Sequence, residues 1–149
     1  MALVRGERMF EESIADVFVA LVRMLALRRW DPGAGAFRDL QLPVRGREYS
    51  HSTESLQRRG RIVEIIRPVS VTLVETLVDP PCRVVLRQRW RLHSINAGTL
   101  LRLDLEYRLN RAARLRPLHW KTQLRRHTGR MLEYVQSNLD AASPWDGRV

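Results

Sequence analysis

The chain has 149 residues, 44% hydrophobic and 28% charged, a composition that suits one globular domain and excludes a disordered chain. A chain of this length buries roughly two-thirds of its unfolded surface, so it needs no disulfide or metal to fold. Its formal charge is +10, and all 26 basic residues except Lys121 are arginine, which points to nucleic acid or an anionic membrane but equally fits a GC-rich coding bias.

Residues 3–11 are expected to form a first strand. Ser13 followed by Asp16 resembles a capping box, with Asp in place of the usual Glu, and opens a helix over 14–27. Val17, Phe18, Leu21, Val22, Met24 and Leu25 recur at three- and four-residue spacing, so one broad face is buried. Asp31-Pro32-Gly33, just after Trp30, stops this helix before a short second one. The stretch is interrupted by Asp16 and Arg23, is too short to span a bilayer, and follows Glu7, Glu11 and Glu12, the wrong flank for a signal peptide. The protein is therefore expected to be soluble and cytoplasmic.

From 37 to 109 the period changes to two. Turn signals at Pro43 and Gly46, Arg59-Gly60, Arg67-Pro68, Asp79-Pro80-Pro81 and Asn96-Ala97-Gly98 delimit strands near 47–56, 61–67, 69–78, 83–94 and 99–109. The short connections imply successive antiparallel hairpins. In the fourth of these strands Val84, Leu86, Gln88, Trp90 and Leu92 share one face, and arginines and His93 dominate the other. In the fifth, Leu101, Leu103, Leu105 and Tyr107 oppose a face that carries Arg102, Asp104, Glu106 and Arg108. Such strands belong to a sheet wet on one side, where arginines can pair across the hairpin with Asp104 and Glu106.

Pro117 suits the first turn of a C-terminal helix running to about 139. Trp120, Leu124, Thr128, Met131, Val135 and Leu139 form its buried stripe. Gly129 costs this helix about 1 kcal/mol relative to alanine, and marks either an exposed, unselected position or a close approach by a neighbour. The domain is expected to span 1–139, with a flexible tail over 140–149 that carries Pro144 and Gly147.

Cys82 is the only cysteine, and the four histidines are scattered, so no disulfide, metal site or cofactor is expected. No Walker, dinucleotide-binding, zinc-protease or nucleophile-elbow pattern occurs.

The order is strand, helix, five or six hairpin-linked strands and a long helix. A sheet with one apolar face needs a cover, and the striped C-terminal helix supplies it. The predicted fold class is therefore α+β, a helix-grip fold in which a curved antiparallel sheet wraps the C-terminal helix around a hydrophobic cavity. The sequence resembles the START-related, birch-allergen-like helix-grip superfamily, in its bacterial polyketide cyclase/dehydrase and lipid-transport branch. The resemblance rests on Val17-Phe18 in a helix ending at Trp30-Asp31-Pro32, on Pro43-Val44 and Gly46, on a Gly-Arg-Ile-Val-Glu-Ile-Ile-Arg-Pro unit over 60–68, on Arg89-Trp90-Arg91-Leu92 leading to Gly98-Thr99-Leu100-Leu101, and on Tyr107. It covers residues 3–139. It implies the same fold and a hydrophobic cavity but no single activity, since such proteins are aromatase/cyclases, lipid or quinone binders, or ribosome-associated factors.

The alternation itself assigns the cavity-facing set: Leu86, Gln88, Trp90, Leu103, Leu105 and Tyr107 from the sheet, with Trp120, Leu124, Thr128 and Met131 from the helix. A buried amide without a partner costs roughly 1–3 kcal/mol, so Gln88, with Tyr107, is the best candidate for polar contact with a ligand. Tyr49 and His51 give the cavity a polar wall if their strand turns that face inward. Its phase is open, and an outward, solvated His51 is the simpler arrangement. Glu64 and Glu75 lie in otherwise apolar strands; either would serve as a general acid or base if buried, but pairing with one of the many arginines is the simpler outcome.

Three functions follow as expectations. The first is a carrier or sensor of a lipid, quinone or polyketide-like molecule. The second is an aromatase/cyclase-type enzyme. The third is a ribosome- or anionic-membrane-associated factor. The third is weaker than the total charge suggests. Residues 81–130 hold the whole excess, with twelve arginines and Lys121 against Asp104 and Glu106. Six of those thirteen cations fall on the open face of the sheet. The rest, including Arg111, Arg114, Arg116, Lys121, Arg125 and Arg126, fall on the loop and helix that cover the other face, where an anionic partner has its one plausible surface. The sequence leaves monomer and homodimer equally open.

Overall fold

In a computed structural model, which describes residues 2–27, 45–46, 48–52 and 57–146, strand β1 (Ala2–Phe10) leads into helix α1 (Ile14–Leu27). Strands β2 (Glu48–Ser52), β3 (Gln57–Ile66), β4 (Ser70–Asp79), β5 (Cys82–Ile95) and β6 (Gly98–Leu109) follow, then a 3-10 turn (Ala113–Leu115) and helix α2 (Pro117–Asp146). The stop signal at 30–33, Pro43 and Thr53 lie outside the described residues.

The capping signal holds: the Asp16 amide donates to Ser13 Oγ at 3.3 Å, and the Val17 amide to the Ser13 carbonyl at 3.0 Å. Val17, Phe18, Leu21, Val22, Met24 and Leu25 are all buried, as the apolar spacing predicts.

All six strands form one antiparallel sheet in the order β1-β6-β5-β4-β3-β2. Every neighbouring pair except β1–β6 is a sequential hairpin, so the first and last strands of the chain meet to complete the sheet. Two turns are tightly built. Gly46 has φ +84°, open to glycine, and its amide donates to the Ile62 carbonyl at 2.7 Å. Asn96, with φ 52°, begins the two-residue turn between β5 and β6, a backbone region Asn tolerates better than most residues.

The strand boundaries depart from expectation in one place. Arg59-Gly60 is not a turn but lies inside β3, and the strand expected over 47–56 is the shorter β2. Gly60 stands opposite Glu75 and Arg59 opposite Thr76, so ladder hydrogen bonding overrides the local turn preference. A register shift between Ile62 and Glu64 adds Val63 as a bulge residue. The bulge reverses the facing of every later residue in β3. Before it, Arg58 and Ile62 are buried; after it, Glu64 faces solvent.

Helix α2 buries the predicted stripe, Trp120, Leu124, Thr128, Met131, Val135 and Leu139, and approaches β1, α1 and β6 most closely. Gly6 is the tightest point. A methyl group there would lie 2.6 Å from Thr128 Cγ2 and 2.9 Å from Leu132 Cδ1. Thr128 turns its hydroxyl back to the Leu124 carbonyl at 2.9 Å, which satisfies it and leaves its methyl group for β1. Gly129 faces open space, so the exposed-position account of that glycine is the correct one. The helix does not stop near 139 but continues to Asp146. Ala141 and Ala142 are strong helix formers, the Gln136 amide donates to Asp140 Oδ1 at 2.9 Å one turn on, and Pro144 falls only in the final turn.

Candidate functional site

The alternation of β5 and β6 survives intact. Leu86, Gln88, Trp90, Leu103, Leu105 and Tyr107 are buried on the inner face of the sheet, as are Trp120, Leu124, Thr128 and Met131 on α2. They do not form one uniform wall. Thr128 belongs to the close packing of α2 on β1, while Gln88 and Trp90 sit on β5, nearer the middle of the sheet.

Around Gln88 the inner face becomes polar. The register sets Leu73 opposite Gln88 and Glu75 opposite Leu86, so the Glu75 and Gln88 side chains are diagonal neighbours on one face. The Gln88 amide nitrogen donates to Glu75 Oε1. The Trp90 indole nitrogen donates to Gln88 Oε1 at 3.3 Å. On the far side, Arg58 Nε lies 3.4 Å from Glu75 Oε2, and both side chains are almost wholly buried. Arg58, Glu75, Gln88 and Trp90 thus form a continuous polar chain across β3, β4 and β5, set in an otherwise aliphatic face.

This chain changes the roles expected of its members. Gln88 donates to Glu75 and accepts from Trp90, so it braces both within the protein. Glu75 pairs with an arginine, the simpler of the two outcomes. Arg58 was not foreseen, because reading Arg59-Gly60 as a turn removes Arg58 from any strand face. A signal for it did exist: a carboxylate in an apolar strand demands a buried counter-charge, and a basic residue two positions before the residue opposite Glu75 can reach it.

β2 pairs with β3 so that Tyr49 stands opposite Gly60 and His51 opposite Arg58. The side chains of Tyr49 and His51 lie outside the described residues.

The outer face carries ion pairs on β1, β5 and β6. Asp104 is gripped by Arg5 across the β1–β6 ladder at 2.6 Å and lies 4.0 Å from Arg91, and Glu7 accepts from Arg102 at 2.9 Å. Arg89 opposes Asp104 in the register, yet the tighter partner comes from β1, because β1 completes the sheet beside β6. Asp104 holds the Arg5 guanidinium above its ordinary pKa through their hydrogen bond and charge attraction. An open depression of about 490 Å³ lies on this face, bordered by Ser70, Thr72, Arg87, Arg89, Arg91 and Glu64. Among the described residues no cluster of three His, Cys, Asp or Glu side chains could hold a metal, and no helix is long and apolar enough to cross a membrane.

The six-stranded antiparallel sheet and the long C-terminal helix define a helix-grip fold. No known family model matches the chain, and no curated protein matches it. Solved structures share the fold. A conserved protein from Geobacillus kaustophilus superposes with a TM-score of 0.76 at 13% identity, covering 95% of this chain and 97% of that one. A protein from Rhizobium leguminosarum gives 0.66 at 18% identity, covering 94% and 95%. A protein of the dynemicin biosynthetic locus, DynU16, gives 0.63 at 14% identity; the match covers 90% of this chain and 47% of DynU16. At these identities the likeness concerns the fold.

Proposed function

We propose that the protein belongs to the START-related helix-grip superfamily and binds a small hydrophobic molecule carrying a polar group, as a carrier or sensor. The molecule would lie between α2 and the inner face of β3–β5. The observation that carries this reading is the Arg58–Glu75–Gln88–Trp90 chain. An inner face needed only for packing gains nothing from it, because a buried ion pair is at best about as stabilising as well-packed apolar residues. A polar chain held rigid by its own hydrogen bonds instead offers an oriented guanidinium and carboxylate in a low-dielectric setting, where one added hydrogen bond discriminates strongly between ligands. Leu86, Leu103 and Leu105, all wholly buried, flank it. The biosynthetic setting of DynU16 supports a small-molecule role for a protein of this fold.

The test is native mass spectrometry of protein purified without detergent, with an Arg58→Met/Glu75→Leu double variant as comparison. The expected result is a retained small molecule on the wild type and its loss from a double variant that keeps the wild-type circular dichroism spectrum. A wild type that retains nothing, and takes up no fatty acid, quinone or polyketide when these are supplied, overturns the reading.

A further inference from the structure

The connection from β6 to α2 holds two leucines out in water at the centre of the most basic stretch of the chain. Leu115 is 81% exposed and Leu118 76%, the highest values for large hydrophobic residues among the described residues. No acidic residue occurs between Glu106 and Glu133 in sequence. Arg111, Arg114, Arg116 and Lys121 surround the leucines in sequence and are all exposed. Among the described residues, none of the ion pairs involves them.

This exposure is built rather than incidental. Asn110 Oδ1 accepts from the Arg83 amide at 3.1 Å and the Ala113 amide at 3.0 Å, while its Nδ2 donates to the Pro81 carbonyl at 3.1 Å. Ala113 is fully buried, and Arg114 Nε donates to the Leu109 carbonyl at 3.2 Å. The turn is thus clamped to the start of β5, and the leucines point outward from a fixed frame. On α2, Leu118, Lys121 and Arg125 follow at i, i+3 and i+7, on one face and away from the buried Trp120–Leu124–Thr128 stripe.

Single exposed leucines are ordinary. Two on one ordered protrusion, flanked by arginines and free of acids, match the physical demands of a lipid–water interface. There, apolar side chains enter the acyl boundary while long cationic side chains stay at the level of the phosphates. A single-stranded nucleic-acid groove would need exposed aromatic rings among the cations, and it offers leucines nothing.

We propose that this turn docks the protein on an anionic lipid bilayer, with Leu115 and Leu118 inserting and Arg111, Arg114, Arg116 and Lys121 meeting headgroup phosphates. The proposal does not depend on what the interior binds. Flotation with vesicles of equal parts phosphatidylcholine and phosphatidylglycerol tests it. Wild-type protein should float with these vesicles, less so as salt rises, and should stay behind with pure phosphatidylcholine. Leu115→Ser/Leu118→Ser should lower vesicle partitioning by about tenfold, and Leu115→Trp/Leu118→Trp should preserve or raise it. Both residues are exposed, so circular dichroism and thermal midpoint should match the wild type in each variant. The proposal is overturned if the wild type does not float with anionic vesicles, or if the serine variant floats as well as the wild type. It is also overturned if wild type and serine variant bind RNA equally and anionic vesicles do not compete.

Discussion

Two regions of the sheet treat its inner face in opposite ways. At β1 and β6 the approach of α2 is so close that Gly6 has no room for a methyl group, and the buried Thr128 hydroxyl is satisfied by its own helix. At β3, β4 and β5 the same face carries a guanidinium, a carboxylate, an amide and an indole nitrogen linked in sequence. The first region secures the helix on the sheet by shape. The second fixes polar atoms in position at the cost of desolvating them. One fold thus separates the task of holding itself together from the task we assign to its interior, and mutations in the two regions should fail for different reasons.

The largest effect is expected from Glu75→Ala. It removes the carboxylate between Arg58 and Gln88 and should destabilise the fold by about 3–5 kcal/mol, as loss of one partner of a buried pair does. Chemical denaturation measures this, and Arg58→Met/Glu75→Leu should recover most of the loss. A double variant no more stable than Glu75→Ala would mean that the polar chain holds the fold together, and the contrast between the two regions would collapse. Gly6→Ala comes next. Thr128 is fixed by its hydroxyl bond, so the added methyl should push α2 away and cost about 1–3 kcal/mol, read as a lower thermal midpoint. Its counterpart is Gly129→Ala, where the new methyl meets nothing and helix propensity alone should stabilise the protein by about 0.5–1 kcal/mol. A stability gain from Gly6→Ala would place the close helix contact elsewhere. The smallest effect belongs to the outer face: Arg102→Gln breaks a part-exposed pair with Glu7 and should change stability by less than about 1 kcal/mol, diminishing further at high salt.

Much of this contrast was legible before any coordinates. The strict alternation in β5 and β6 separated apolar from charged faces correctly at Leu86, Gln88, Trp90, Leu103, Leu105 and Tyr107. The stripe of α2 and the cap at Ser13 were equally plain. Glu75 reads from the sequence as a carboxylate out of place in an apolar strand, but its partner does not. Arg58 lies next to a dipeptide that reads locally as a turn, and only pairing with β4 draws it into a strand. Glu64 shows the converse. Sequence spacing alone gives it the same facing as Arg58 and Ile62, yet the bulge at Val63 turns it to solvent.

What the sequence determined by itself was therefore whatever depends on short-range period: element type, the wet and dry faces of each regular strand, the buried stripe of the last helix, and the basic run that surrounds Leu115 and Leu118. Periodicity is a local property, and each such segment carries it whole. Tertiary structure decided what depends on registration between segments distant in the chain. It matched Arg58 to Glu75 and Gly60 to Tyr49, chose Arg5 over Arg89 as the close partner of Asp104, and pressed Thr128 onto Gly6. It also clamped Asn110 to the far end of the β4–β5 turn so that two leucines face solvent. A one-residue slip would reassign every one of these pairs without altering any local pattern, which is why the face was readable from the sequence and the partner was not.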